Sequence, residues 1–195
     1  MVGHWALWST GGAQPTSLET WVRDRPLASP PQLDTGSAPS CWEMVLLAAV
    51  RSRALTTGQV QSLYPSDQLW TAADLQNWLQ AMSPHGRCAF TPGTRLVPRR
   101  GDLVFWNDFA HVALALGTLD RAERHEVISF WAPPNLMWSG IPAEVRRTTI
   151  EELTAILADP TLNPGATIAV TFGPGPWAAD LRPAPPVPRP VHSAP

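Results

Sequence analysis

Charged residues are scarce in this chain: Asp, Glu, Lys and Arg make up 15% of its 195 residues, and the net charge is −2 at neutral pH. So few cations, with no basic stripe and no polybasic run, exclude an electrostatic partnership with nucleic acid or an anionic membrane surface. Long apolar runs are missing as well. No stretch approaches the roughly 18 residues that a membrane-spanning helix needs. Cysteine is limited to Cys41 and Cys88, far short of the disulfide framework that staples small secreted domains. No two-cysteine, two-histidine spacing suggests zinc and no glycine-rich loop suggests a phosphate cradle, so the sequence calls for no metal and no cofactor. The first residues show no charged segment ahead of an apolar one, which is the signature of a secretory signal peptide.

Apolar side chains are plentiful. They make up 44% of the chain, ten of them tryptophan, and this length can bury a sizeable core. Residues 1–37 form a lead-in rich in tryptophan and proline, expected to pack on the body, with one short helix around 16–22. Ser40 followed by Glu43 is a capping box, which predicts a helix from Cys41 to about residue 54. Short helices are expected over 56–64 and 71–82. The period then changes to two. Strands are expected at 103–106, 111–116 and 126–131, with a turn centred near residue 121, and further strands at 144–148 and 166–172. A helix at 150–157 interrupts them. The proline-rich stretch 174–195 reads as an extended tail. Helices first and antiparallel strands after make an α+β domain over 38–173.

The chemistry concentrates at three residues. Cys41 sits in the first turn of its helix, where the dipole and the unfilled N–H groups favour thiolate over thiol. His111 opens a strand. A helix-start cysteine answered by a strand-start histidine is how a cysteine–histidine hydrolase or acyltransferase holds its nucleophile and base. His4 and His192 lie in the terminal segments, His85 lies in a loop, and His125 falls near the far turn of the hairpin. A third group should orient the imidazole. With the turn near 121, Trp131 lies opposite His111 and Ser129 lies diagonal to it on the same face, so Ser129 is the first choice, with Asn107 and Asn135 as alternatives. Trp42, Trp106 and Trp131 could wall a cleft. Asp102 reads as a turn residue and Cys88 as a small buried hydrophobe.

Ser40-Cys41-Trp42 at a helix start resembles the nucleophile segment of papain-like cysteine enzymes. Gly101-Asp102-Leu103-Val104-Phe105-Trp106 and His111-Val112-Ala113-Leu114-Ala115-Leu116-Gly117 resemble the paired strands of NlpC-type cysteine peptidases. Cys41-Trp42-Glu43-Met44-Val45-Leu46 is also similar to the opening of papain-fold toxin domains in bacterial polymorphic toxins. The resemblance covers roughly residues 38–131. It implies a papain-like fold, with the nucleophile helix packed on a C-terminal antiparallel sheet, Cys41 as nucleophile, His111 as base and Ser129 in the third position. Serine departs from the histidine, asparagine, aspartate or glutamine usual there. The implied activity is a thiol hydrolase or acyltransferase acting on peptide, protein or peptidoglycan. Protein glutamine deamidation or transglutamination and a catalytically inactive binding module are the alternatives. The implied setting is a bacterial effector, made in the cytoplasm, delivered by a specialised secretion system or as part of a larger toxin, and matched by an immunity protein.

Overall fold

The computed structural model describes residues 5–7, 18, 20–21, 40–63, 86–107, 111–131, 142–161 and 163–180. Within them the chain is an α+β structure: a seven-stranded antiparallel sheet with α-helices packed against both of its faces. The strands are β1 (Trp5–Leu7), β2 (Cys88–Ala89), β3 (Asp102–Trp106), β4 (His111–Leu119), β5 (His125–Trp131), β6 (Pro142–Thr149) and β7 (Val170–Pro174). The helices are α1 (Cys41–Arg51), α2 (Thr57–Leu63) and α3 (Ile150–Leu157). The sheet order is β1-β6-β5-β4-β3-β7-β2. No helix among the described residues is long and apolar enough to cross a membrane.

Helix α1 begins where the capping box says it should. Ser40 is extended, at φ −83 and ψ 172, and its Oγ accepts from the Glu43 N–H while the Glu43 carboxylate accepts from the Ser40 N–H at 2.6 Å. Two of the helix's open N–H positions are thereby satisfied reciprocally. Thr149 caps α3 from one side only, its Oγ1 accepting from the Glu152 N–H at 3.1 Å, while the Glu152 carboxylate accepts from Thr148 Oγ1.

The central strands are buried on both faces, and the pleat sorts their side chains into two cores. Leu103, Phe105 and Val112 pack with α1 through Val45, Leu46 and Ala49. Val104, Trp106, Ala113, Ala115 and Val127 pack on the other face with Ile150, Leu153 and Leu157 of α3. Met44 extends the α1 side over Phe130, Ala143 and Val145. Leu18 and Trp21 of the lead-in are helical and join the α1 core.

Several boundaries differ from those read in the sequence. Strand β4 runs three residues beyond the expected 116, through a bulge between Ala115 and Leu119 where the β4–β5 register shifts. Gly117 sits in that bulge at φ +67, a conformation open to glycine at little cost. Strand β7 begins at Val170 instead of 166 and ends at Pro174, so the boundary drawn at 173 falls inside it. The body continues into the 3-10 helix Pro176–Asp180, where Trp177 is buried and its Nε1–H donates to the Gly101 carbonyl at 2.9 Å. Cys88 is exposed, not buried, because β2 is a two-residue strand at the sheet edge. The helix expected at 71–82, residues 181–195, Asn135 and the side chains of Trp42 and Trp131 lie outside the described residues.

A Cβ on Gly117 would come within 2.6 Å of the Arg100 backbone nitrogen, and the left-handed backbone adds its own strain. Gly117→Ala is therefore expected to cost at least about 2 kcal/mol. Urea unfolding measures it, and an unchanged midpoint would show that the bulge is not held as described.

Candidate active site

His111 is the first residue of β4, reached from Trp106 through residues 107–110, and it pairs across the sheet with Trp106. Its Nε2 lies 2.8 Å from the Ser129 hydroxyl. The register explains this contact. Leu114 faces Ile128 and Ala115 faces Val127, so Ser129 falls opposite Ala113 and diagonal to His111. Ala113 places only a methyl group between them, and the imidazole reaches across it. The Trp106 ring packs against the imidazole at 5.4 Å between centroids, tilted by 50°. Trp106 is held in turn from α3, its Nε1–H donating to Thr154 Oγ1 at 2.9 Å. Both His111 and Ser129 are buried. Burial holds the His111 pKa down to about 3, because the imidazolium would lose its hydration there. At neutral pH the ring is therefore uncharged.

Cys41 is the first residue of α1, is not in a disulfide, and is 3% exposed. It belongs to the cluster that holds Leu103, Phe105 and Val112, the residue next to His111. The direction of α1 fits this placement. Met44 meets Phe130 and Ala143, at the sheet end where β4 begins, and the far end of the helix reaches Leu114 and Ile128. Cys41 and His111 thus share one end of the sheet. They approach it from different sides. Strand alternation puts His111 with Ala113 and Trp106 on the α3 face, and Cys41 comes with α1 on the opposite one. The structure brings His111, Ser129 and Trp106 into direct contact. It joins Cys41 to them through Val112 and Phe105.

The other candidates have structural tasks. Asn107 adopts φ +45 and ties β3 to the entry of β7: its N–H donates to the Ala169 carbonyl and its Oδ1 accepts from the Ala169 N–H, both at 2.9 Å. Asp102 accepts from the Arg99 N–H at 2.8 Å and closes the turn before β3. His125 lies at the far end of β5, its Nδ1 2.7 Å from the Glu151 carboxylate and its ring edge-on to Phe90. Sequence reasoning missed the support that α3 gives through Thr154 and Trp106. A threonine in a helix interior has no local signature that names its partner. Among the described residues no group of three or more His, Cys, Asp and Glu side chains converges as a metal site would.

The depressed His111 pKa makes stability depend on pH. Above about pH 6.5 the ring is neutral in both states and contributes nothing to the slope. Below that value the unfolded chain takes up a proton that the native His111, at about 3, does not. Stability should fall by up to about 1.4 kcal/mol per pH unit as pH drops from 6.5 towards 3. The free-energy difference between wild type and His111→Gln, from urea titrations at pH 7.5, 5.5 and 4.5, is expected to shrink by that slope. A difference constant with pH would mean that His111 is protonated as easily folded as unfolded.

No protein-family model, curated protein or solved structure matches this chain.

Proposed function

We propose that the chain is a papain-like thiol enzyme that acts on an amide or acyl bond through a Cys41 thioester. The observation that carries this reading is the His111–Ser129 pair, 2.8 Å apart, at the sheet end towards which the N-terminus of α1 points. In the tautomer protonated at Nε2, the N–H donates to Ser129 Oγ, and Nδ1 holds the lone pair that takes the thiol proton. The thiolate attacks the carbonyl carbon, and N–H groups at the start of α1 stabilise the tetrahedral oxygen. The imidazolium returns its proton to the departing amine, leaving the acyl group on Cys41. Water then gives hydrolysis or deamidation, and an amine gives a crosslink. The low proton affinity of the buried ring keeps it neutral at rest, so the reading requires the Cys41 thiol, which approaches from the other face of the sheet, to reach Nδ1 round the sheet end before charge can separate. Peptide, protein or peptidoglycan is the substrate class, an effector domain with an immunity-type partner is the setting, and glutamine deamidation or transglutamination is the rival outcome at the same centre.

A second reading, a papain-like fold kept as a binding module without catalysis, rests on one specific observation. The His111 ring packs on Trp106, whereas Cys41 packs in the core of the opposite face. One experiment separates the two, because exposed Cys88 is an internal reference for an ordinary thiol. The protein is incubated with p-nitrophenyl butyrate, and acylation at each cysteine is followed by mass spectrometry. The enzyme reading expects Cys41 to acylate faster than Cys88, His111→Ala to slow it at least about 100-fold, and Ser129→Ala to slow it less. Acylation of Cys41 slower than that of Cys88 and indifferent to His111→Ala would leave the binding module.

A further inference from the structure

The His111 ring has two directions in which to lean along the α3 face of the sheet. Towards β5 the small side chain of Ala113 leaves the diagonal open, and Nε2 meets the Ser129 hydroxyl at 2.8 Å. Towards β3 stands Trp106, the residue directly across from His111. Its indole closes that side, 5.4 Å away between ring centroids and tilted by 50°. Directly opposed residues on one face have Cβ atoms about 5 Å apart, so a small swing of the indole reaches the imidazole. The ring is kept on Ser129 by what stands behind it as well as by the hydrogen bond in front.

The group that fixes the indole does not belong to the sheet. Trp106 is fully buried, and a buried indole N–H needs an acceptor. Thr154 of α3 supplies it, at 2.9 Å. The Thr154 hydroxyl is itself oriented. It donates to the Ile150 carbonyl one turn back, at 2.7 Å, so its hydrogen points away and its lone pairs are left for the indole. Trp106, Thr154 and Ile150 form a chain of two bonds, each polarising the other. The far end of the chain is anchored. Ile150 and Leu153 are buried in the same cluster as Trp106, and α3 follows β6 with no residue between them. Threonine is a poorer helix former than alanine or leucine, and valine would fill the same space. What valine lacks is the acceptor.

We infer that Thr154 is a positioning residue for His111: by fixing the Trp106 indole, it holds the imidazole on the Ser129 hydroxyl. Its hold on the ring stands on these contacts. Its part in a reaction rests on the thiol-enzyme reading, in which a ring that leaves Ser129 no longer aims Nδ1 at the thiol.

The test uses the full chain labelled with 15N-histidine. Two-bond proton–nitrogen spectra report which nitrogen of the His111 ring carries the hydrogen, and His111→Gln assigns the signals. Wild type is expected to show one tautomer. Thr154→Val keeps the shape, removes the acceptor and should show the averaged signals of both tautomers. Thr154→Ser should restore the wild-type pattern. Thr154→Ala, with the better helix former, takes the place of Thr154→Val if that variant melts without cooperativity. Adding Thr154→Val to Trp106→Phe should change the ring signals no further than Trp106→Phe alone, because the two residues act through one bond. Acylation of Cys41 by p-nitrophenyl butyrate is expected to slow about tenfold in Thr154→Val and to recover in Thr154→Ser, with Cys88 unaffected. Cys41 acylating no faster than Cys88 in wild type defeats the enzyme reading and leaves the ring spectra to decide the role of Thr154. A wild type that already shows both tautomers overturns that role. So does a folded Thr154→Val with wild-type ring signals, or a double variant in which the two changes add.

Discussion

The two-sided burial of β3, β4 and β5 is the constraint on which the other features depend. All five residues of β3 are buried, and a strand hidden on both faces needs a cover on each. The chain supplies α1 on one side and α3 on the other. Neither helix could be moved without uncovering a core. The capped starts at Ser40 and Thr149 fix where each cover begins. The position of Cys41 at the sheet end follows from that, as does the position of Thr154 behind Trp106.

The same constraint shapes the candidate site. A polar pair on a face that is otherwise core is best satisfied internally, and the His111 Nε2 and the Ser129 hydroxyl meet each other there. The cost of that placement is a ring that resists protonation. A ring that holds a proton this weakly is a poor base at rest and suits a buried histidine that only cements two strands; to serve as a base, its proton affinity would have to rise as the thiol approaches. Which of these it is depends on whether the thiol at the start of α1 can pass the end of the sheet, near Val112.

What was legible in the sequence was local. Ser40 and Glu43 are three residues apart and declare a helix start without help from the rest of the fold. The hairpin from His111 to Trp131 is nearly as local, and arithmetic about its turn sufficed to set Ser129 beside His111. The illegible features were non-local or two-fold ambiguous. Both parities of β4 are apolar, Val112 and Leu114 on one and Ala113 and Ala115 on the other, so alternation could not say which face α1 would take. Cys88 looked like a core residue because nothing nearby marks β2 as an edge. Trp177 lay in a proline-rich stretch, and its burial depends on Gly101, 76 positions earlier. The pairing of residues 5–7 with β6 has no sequence signal at all.

The order of the strands has a consequence for how such a chain reaches its native state. β3, β4, β5 and β6 are neighbours in sequence and in space, a ribbon that can zip from its own turns. The flanks are different. β1 must wait for β6, more than a hundred residues later, and β2 has no partner until β7 arrives near the end of the described chain. Closing those long loops has to be done before their contacts repay it. During synthesis the ribbon would stand for a time with both edges open, one of them the edge of β3 that β7 later covers. Open edges of apolar strands are the places where chains pair wrongly with one another.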